Sequence, residues 1–349
     1  MINIDTRYNP ANEISKYNFF EQLEHSEDGK DPKTIKQYVA AVHEFEVATG
    51  FKDFKKYTSD WAIDFKDYLN DKLNSRTGEH ISKSLYFNYI SFVRQLFEWL
   101  VKNQKDYAKI KDEHIKFLHV TRNDKNKAKA TGYQESHEIH DILASIRNMP
   151  ESNEIEMRNK ALVSLCLLTT PRISSLQEGR IERIKYFKDL DTWAFLQDPR
   201  LQNTKYSKFI TSFFVGHVED IIQNVLKWKN HLISKGHTDK GFLFPKIKSS
   251  FTQDGAPILE LTKECIKSQT QIRIIIKDAF VSNNLSYLKQ HSFRHSITRK
   301  MMKGEDAAER LMALAENEGH KGGMATLVAS YGGNYLAKQA RLLKEFELE

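Results

Sequence analysis

The stretch HSFRHSITRKMM, residues 291–302, places three basic side chains at helical spacing. If this stretch is helical, His291, Arg294 and His295 project from one face, because residues three and four apart are neighbours on a helix. The two histidines have the spacing of the zinc motif HExxH, but Ser292 stands where that motif needs its glutamate. We therefore do not expect zinc here. Two histidines around an arginine form a set of hydrogen-bond donors suited to a dispersed negative charge.

A second arginine stands in TTPRISSLQEG, residues 169–179. The pattern predicts a short helix with Thr170 as its N-cap, Pro171 as its first residue and Gly179 at its end. Arg172 would then lie in the first turn, beside backbone N–H groups that suit a phosphate. Taken alone, a surface arginine with an incidental ion pair would be the favoured interpretation.

Two runs of β-forming residues predict a hairpin: TWAFLQ at 192–197 and FITSFFVG at 209–216. Lys205 lies between them, where a turn would present its ammonium group to solvent. Lys208, three residues further on, is the competing candidate for any role at this turn.

The stretch GHKGGMATLVASYGGNYL, residues 319–336, contains His320 followed by Tyr331 and Tyr335. The glycines that follow Tyr331 allow the chain to turn there. On its own, the stretch does not distinguish a nucleophilic tyrosine from an ordinary aromatic turn.

The composition is that of a globular protein. The chain has 349 residues, of which 40% are hydrophobic and 28% charged, and this length predicts two domains. No apolar run approaches the roughly 20 residues of a membrane span, and the N-terminus lacks a signal-peptide pattern. We expect a cytoplasmic protein in which Cys166 and Cys265 are buried thiols, since neither belongs to a CxxC pair.

The net charge of +7 is unevenly distributed. Residues 1–120 carry 18 Lys and Arg against 19 Asp and Glu, and the remainder carries 35 against 27. A polyanionic partner and an ordinary solvated surface account for this charge about equally well.

The pattern along the chain predicts a mainly α-helical protein. Residues 1–120 read as a helical bundle, with one helix beginning at Asp31-Pro32, and their aromatic residues at helical spacing are expected in its core: Tyr86, Tyr89, Phe92, Phe97 and Trp99. Residues 121–133 have the composition of a basic linker. Residues 134–349 read as mostly helical with one small sheet, and helical patterning continues from about residue 218 to the C-terminus.

Taken in chain order, these pieces resemble the tyrosine recombinase (phage integrase) family. PRISSL is similar to the first arginine box of the family, TKYSKF to its hairpin lysine segment, and HSFRH to its second arginine box. GHKGGMATLVASYGG is similar to the ending of one subfamily, and KTIKQYVAAVHEF with SLYFNYISFVRQLFEWL to the N-terminal helices. The likeness covers nearly the whole chain.

The resemblance implies the fold of the DNA breaking–rejoining enzymes. Residues 1–120 would form a SAM-like core-binding domain, 121–133 a basic linker, and 134–349 a mostly helical catalytic domain with a small antiparallel sheet. The two domains would grip the DNA between them, with the linker bridging them.

The resemblance also implies a catalytic set. Arg172 and Arg294 would hold the scissile phosphate, and Lys205 would protonate the departing 5′ oxygen. The two histidines His291 and His320 would hydrogen-bond the phosphate or assist proton transfer. Tyr331 would attack the phosphorus, with Tyr335 as the fallback nucleophile. No cofactor or metal is expected.

Two positions depart from the family pattern. Ser175 stands where the family commonly has an acidic residue that braces the site, and serine cannot form an ion pair. The eleven positions from His320 to Tyr331 are two more than in many members. Neither departure predicts loss of activity.

The expected function is site-specific DNA recombination or integration through a covalent 3′-phosphotyrosine. The expected partner is double-stranded DNA with specific recombination sites, bound by four protomers on two sites, in the cytoplasm at the nucleoid and away from membranes. A DNA-binding protein that keeps the scaffold without turnover, and a type IB topoisomerase-like enzyme, are the alternatives.

Overall fold

The computed structural model describes residues 8–27, 29–122, 135–204, 207–251, 254, 257–303, 306–320, 322, 323, 325, 326 and 328. The chain divides into two compact units, Met1–Gly132 and Tyr133–Glu349. Each has its own hydrophobic core. Most of the predicted linker, residues 121–133, lies outside the described residues.

Helices make up the first unit. In chain order they are α1 (Pro10–His25), α2 (Pro32–Ala48), α3 (Ser59–Asp71), α4 (Lys83–Asn103) and the short α5 (Asp112–Ile115). The predicted start of α2 is confirmed, because the Asp31 side chain accepts a hydrogen bond from the Lys33 N–H at 2.7 Å and Pro32 occupies the first helical position.

The core of the first unit is built from aromatic rings. Phe45 on α2 packs edge-on against Phe65 and Phe97, with ring centroids 5.2 Å and 5.4 Å apart. Such pairs add roughly 0.5–1.5 kcal/mol beyond the burial of their area. The predicted core role of the aromatic residues on α4 is confirmed: Phe97 is fully buried and the other four pack against the same core.

The second unit is built around one buried helix. Its helices are α6 (Ile139–Arg147), α7 (Glu154–Thr169), α8 (Ile173–Gln177), α9 (Glu219–Ser234), α10 (Gln269–Val281), α11 (His291–Met301) and α12 (Ala307–Asn317). Every residue of α7 from Lys160 to Thr169 is buried. A helix that is buried on all sides is typical of the centre of a domain. Cys166 lies on it as a free buried thiol, whereas Cys265 is only half-buried.

A three-stranded antiparallel sheet lies in the same unit. Its strands are β1 (Ile184–Phe187), β2 (Thr192–Gln197) and β3 (Ile210–Phe213), in the order β1-β2-β3. Gln197 pairs with Ile210, so the connection 198–209, which contains residue 205, joins the ends of neighbouring strands. The two strands predicted around Lys205 are thus confirmed.

A second sheet was not predicted. β4 (Pro245–Phe251) and β5 (Pro257–Cys265) form an antiparallel hairpin where helix was expected. Ile247 pairs with Leu261, and Lys248 with Glu260. The apolar pair and the charged pair next to it lie on opposite faces of the hairpin, as the two-residue period of a strand requires. The expectation of unbroken helix from residue 218 onward is wrong here.

The predicted class, mainly α-helical with a small antiparallel sheet, is confirmed by these elements, and the hairpin of β4 and β5 is an addition to it. Within the described ranges, none of the helices has both the length and the apolar character needed to cross a bilayer.

Candidate active site

The first arginine box forms a sharp turn at the end of α7. Thr170 adopts a left-handed backbone conformation with φ of 42° and thereby ends the helix. Arg172, with φ of −75° and ψ of 151°, is itself the N-cap of α8. The prediction that Thr170 caps this helix and that Arg172 lies in its first turn is wrong. The reason is that Thr170 terminates the preceding helix and uses its hydroxyl elsewhere.

The second arginine box, on α11, forms hydrogen bonds with the backbone of that turn. The Arg294 Nε donates a hydrogen bond to the Thr170 carbonyl at 2.9 Å. The side-chain amide of Gln290, the residue just before α11, donates to the carbonyl of Pro171. Arg294 is 1% exposed. The two arginine boxes, 119 or more residues apart in sequence, therefore meet directly.

A buried glutamate connects Arg294 to His320. One carboxylate oxygen of Glu318, Oε2, lies 2.9 Å from His320 Nε2 and 3.4 Å from an Arg294 terminal nitrogen. The other oxygen, Oε1, accepts the Thr170 hydroxyl at 2.7 Å. Glu318 is 2% exposed. We did not predict this residue from the sequence; the acidic side chain two positions before His320 was the available signal.

The end of α12 is hydrogen-bonded to strand β3. The Asn317 side chain accepts a hydrogen bond from the Phe213 N–H at 2.6 Å and donates one to the Phe213 carbonyl at 3.0 Å. The Ser212 hydroxyl donates to the Asn317 carbonyl at 2.7 Å. Since Glu318 follows directly, these bonds fix its position relative to the sheet.

Gly319 allows the chain to leave α12 against that strand. Its φ is +65°, and a Cβ added there would lie 2.5 Å from Cδ1 of Ile210. Only glycine meets both demands without displacement, because it lacks a Cβ and adopts positive φ readily. The residue therefore sets the approach of His320 to β3.

The electrostatics of the turn act on His291. Loss of hydration, and then the positive charges of Arg294 and Arg172, lower its pKa from 6.5 to about 4. Although His291 is exposed as a residue, the positive charges of the two arginines disfavour its protonated ring in the same direction as the loss of hydration does. The imidazole is thus neutral near pH 7. Its ring N–H can donate a hydrogen bond to a phosphate oxygen without adding a charge.

Arg172 and His291 line one cleft of about 950 Å³. Other cationic or imidazole side chains on its wall are Arg273, Lys289 and His295, together with the acidic Glu135. A wall with this excess of positive groups suits an anionic ligand.

His320 lines a second cleft of about 530 Å³ between β3 and α12, together with Lys208. Arg294 contacts the turn that carries Arg172, and its ion-pair partner Glu318 contacts His320. The ion pair therefore connects the residues of the first cleft with those of the second. The structure thus brings together Arg172, His291, Arg294 and His320 from the predicted set. Lys205, Tyr331 and the fallback Tyr335 lie outside the described residues.

Ser175 takes no part in the network around Glu318 that these contacts define. It is buried on α8, and its hydroxyl donates to the carbonyl of Asn203 at 3.4 Å, in the connection that contains residue 205.

Several solved structures of recombinases and integrases share this architecture. The XerH site-specific recombinase bound to a palindromic difH substrate, in a post-cleavage complex, is 15% identical with a TM-score of 0.59, over 94% of this chain and 84% of that one. A lambda integrase tetramer bound to a Holliday junction is 13% identical with a TM-score of 0.56, over 90% and 76% of the respective chains. The Tn1549 transposon integrase with transposon right-end DNA is 12% identical with a TM-score of 0.56, over 95% and 99%.

The fold is that of the tyrosine recombinases, and the resemblance seen in the sequence is confirmed at the level of the fold. No protein-family model matches the sequence, and no curated protein matches it either.

Proposed function

We propose that this chain is a tyrosine recombinase: a site-specific DNA recombinase or integrase that cleaves and rejoins strands through a covalent 3′-phosphotyrosine. The observation that carries the proposal is the contact of Arg294 with both the Thr170 carbonyl and Glu318. This contact ties together both arginine boxes and His320, which come from three distant parts of the sequence.

The chemistry of phosphoryl transfer fits this set of side chains. Such reactions depend mainly on positioning and on stabilising charge on the phosphate oxygens. Arg172 and Arg294 supply fixed positive charge, and His291 and His320 supply further hydrogen bonds. A neutral His291 serves as a hydrogen-bonding group rather than as a third cation.

The covalent step is assigned to residues carried over from the family resemblance. The Tyr331 hydroxyl oxygen forms a bond to phosphorus and passes its proton to a histidine of the site, while the bond from phosphorus to the 5′ oxygen breaks. Lys205 donates a proton to that departing oxygen. The tyrosine ester keeps the free energy of the phosphodiester, so the reverse attack by a 5′ hydroxyl reseals a strand without ATP.

The proposed partner is double-stranded DNA with specific recombination sites. Lambda integrase is known as a tetramer on a Holliday junction, and XerH as a complex with its difH substrate. By analogy, we propose four protomers of this chain on two DNA sites. The excess of basic residues beyond residue 120 supports an anionic partner.

The test is covalent attachment to DNA. Junctions sequenced from cells that express the protein identify a site, and purified protein is then incubated with supercoiled DNA that carries it. We expect a protein–DNA adduct that survives SDS and leaves a 5′ hydroxyl that a kinase can label. Tyr331→Phe abolishes the adduct, and Tyr335→Phe retains it.

Two other outcomes would select the alternative functions. Specific binding with no adduct under any condition would identify a DNA-binding protein that keeps the scaffold without turnover. Relaxation of supercoils with an adduct but without strand exchange between two sites would identify a topoisomerase-like enzyme.

A further inference from the structure

Glu318 is a fully buried carboxylate with three partners from separate parts of the second unit. The Thr170 hydroxyl comes from the turn after α7, Arg294 comes from α11, and His320 lies two residues further along the chain. The side chains of Glu318, Arg294 and His320 are 0%, 1% and 2% exposed.

We infer that Glu318 is a positioning residue, which holds Arg294 and His320 in the orientation that receives the scissile phosphate. The inference rests on the proposed function, because it assigns Glu318 a task in the same site. Glu318 contacts no reacting atom and acts through its neighbours Arg294 and His320.

Stability alone does not account for such a carboxylate. Removing charges from water costs several kcal/mol per ion, and apolar side chains of similar volume often serve a core at least as well. A buried acid that joins two candidate phosphate ligands therefore points to a role in their orientation.

The geometry restricts the guanidinium of Arg294 on two of its nitrogens. Nε donates a hydrogen bond to the Thr170 carbonyl at 2.9 Å, and a terminal nitrogen lies 3.4 Å from a carboxylate oxygen of Glu318. Because the guanidinium is planar and rigid, a contact at each of two nitrogens restricts its orientation. Thr170 also donates to Glu318, so the turn that carries Arg172 and the carboxylate hold each other in place.

The imidazole of His320 is oriented in the same way. An ionised carboxylate only accepts hydrogen bonds, so His320 donates through Nε2 to Glu318 Oε2 at 2.9 Å. A hydrogen bond at one ring nitrogen sets the tautomer and the direction of the other nitrogen.

The experiment compares Glu318→Gln with wild type on two substrates in the full chain. One DNA carries the natural phosphodiester at the cleavage position, and the other carries a methylphosphonate there, in which a methyl group replaces a charged oxygen. Adduct formation is measured in a single turnover, and DNA affinity is measured in parallel. The matched control is Glu154→Gln, since Glu154 also pairs with a histidine and a cation, His231 and Lys235.

The control residue is well separated from the site. Glu154 begins α7 and Thr170 follows its end, so the helix keeps them about 24 Å apart at 1.5 Å per residue.

We expect Glu318→Gln to slow adduct formation on the natural substrate by about 100-fold or more, the usual effect of losing one preorganised donor. DNA affinity should stay the same, and Glu154→Gln should react like wild type. On the methylphosphonate the loss should shrink to about tenfold or less, because the uncharged phosphorus centre needs a correctly placed arginine less.

Three outcomes would overturn the inference. Wild-type rate in Glu318→Gln would show that the carboxylate positions nothing. An equal loss on both substrates would show a general structural role. No adduct from wild type on any site would refute the proposed function and the inference with it, whereas the first two outcomes leave the proposed function intact.

A second variant covers the case in which Glu318→Gln does not fold. Glu318→Asp keeps the buried charge but is one methylene shorter, so it cannot hold all three partners at their present distances. It should react at an intermediate rate with the same dependence on substrate. A rate equal to that of wild type on both DNAs would count against the inference.

Discussion

At the residue scale, the candidate site is a balance of buried charges. Arg294 and Glu318 are both removed from water, and their charged groups lie 3.4 Å apart. His320 and Thr170 donate hydrogen bonds to the oxygens of the same carboxylate. Each member depends on the others, because a charge left alone in the interior carries its full desolvation cost.

Arg294→Met should therefore destabilise the second unit by about 3 kcal/mol, the usual cost of removing one partner from a buried ion pair. Urea unfolding of the variant and of wild type measures the difference. Lys235→Gln, which removes a half-exposed partner of Glu154, should cost under about 1 kcal/mol. A loss at Arg294 no larger than that at Lys235 would contradict the buried-network description.

The pKa of His291 should be about 4, against an ordinary value of 6.5. The unfolded chain then binds more protons between these two values, so folding loses stability as the pH falls from 6.5 toward 4. Titration of the ring signals by NMR measures the pKa directly. In His291→Gln the fall in melting temperature over this pH range should be smaller. A midpoint at or above 6.5 would show that the charges of Arg172 and Arg294 and the loss of hydration at the ring do not lower the pKa of His291.

The sequence predicted the members of this set that resemble family motifs, including Arg172, Arg294 and His320. It did not predict Glu318, because its importance comes from three partners that only folding brings together. Nor did it predict that Thr170 ends α7, since the choice between capping the next helix and ending the last depends on where its hydroxyl finds an acceptor.

At the element scale, the junction between α12 and β3 positions Glu318 and His320. Asn317 brackets the Phe213 backbone, and Gly319 then turns the chain beside Ile210. Strands β2 and β3 were predictable because their runs are rich in β-forming residues. The hairpin of β4 and β5 was not predictable, because lysines, serines and glutamates interrupt its apolar residues. The pairing of Ile247 with Leu261 is known only from the fold.

Gly319→Ala should destabilise the protein more than Gly236→Ala does. Both glycines have positive φ, +65° and +83°, which costs a non-glycine residue roughly 1–2 kcal/mol. A Cβ at 319 would also collide with Ile210, whereas nothing lies within 4 Å of one at 236.

Thermal or urea unfolding of the two variants measures the difference. Ile210→Val removes the colliding Cδ1 atom, so it should restore part of the loss when combined with Gly319→Ala. Equal losses at the two glycines, or no restoration, would contradict the close approach of residue 319 to β3.

At the scale of the whole molecule, charge is divided between the two parts of the chain. Residues 1–120 are nearly neutral, whereas the remainder carries 35 basic against 27 acidic residues. Arg273 and Lys289 line the same cleft as Arg172. An anionic polymer that follows this cleft would bind through counterion release, so its affinity would depend steeply on salt.

DNA affinity should fall linearly on a logarithmic scale as salt rises, and Arg273→Gln should reduce that slope by about one. Fluorescence anisotropy between low and moderate salt measures both quantities. Lys235→Gln, whose lysine pairs with Glu154 at the start of α7, should leave the slope unchanged. Equal slopes for wild type and Arg273→Gln would show that the cleft does not contact the phosphates.

The covalent adduct with DNA identifies the nucleophile of the site when the attached side chain is located. The adduct is digested with trypsin and nuclease, and the peptide of residues 322–338, which contains both candidate tyrosines, is fragmented by mass spectrometry. We expect a nucleotide attached through its 3′ phosphate to Tyr331. Attachment to Tyr335 would correct the choice of nucleophile, and attachment to neither tyrosine would contradict the proposed mechanism.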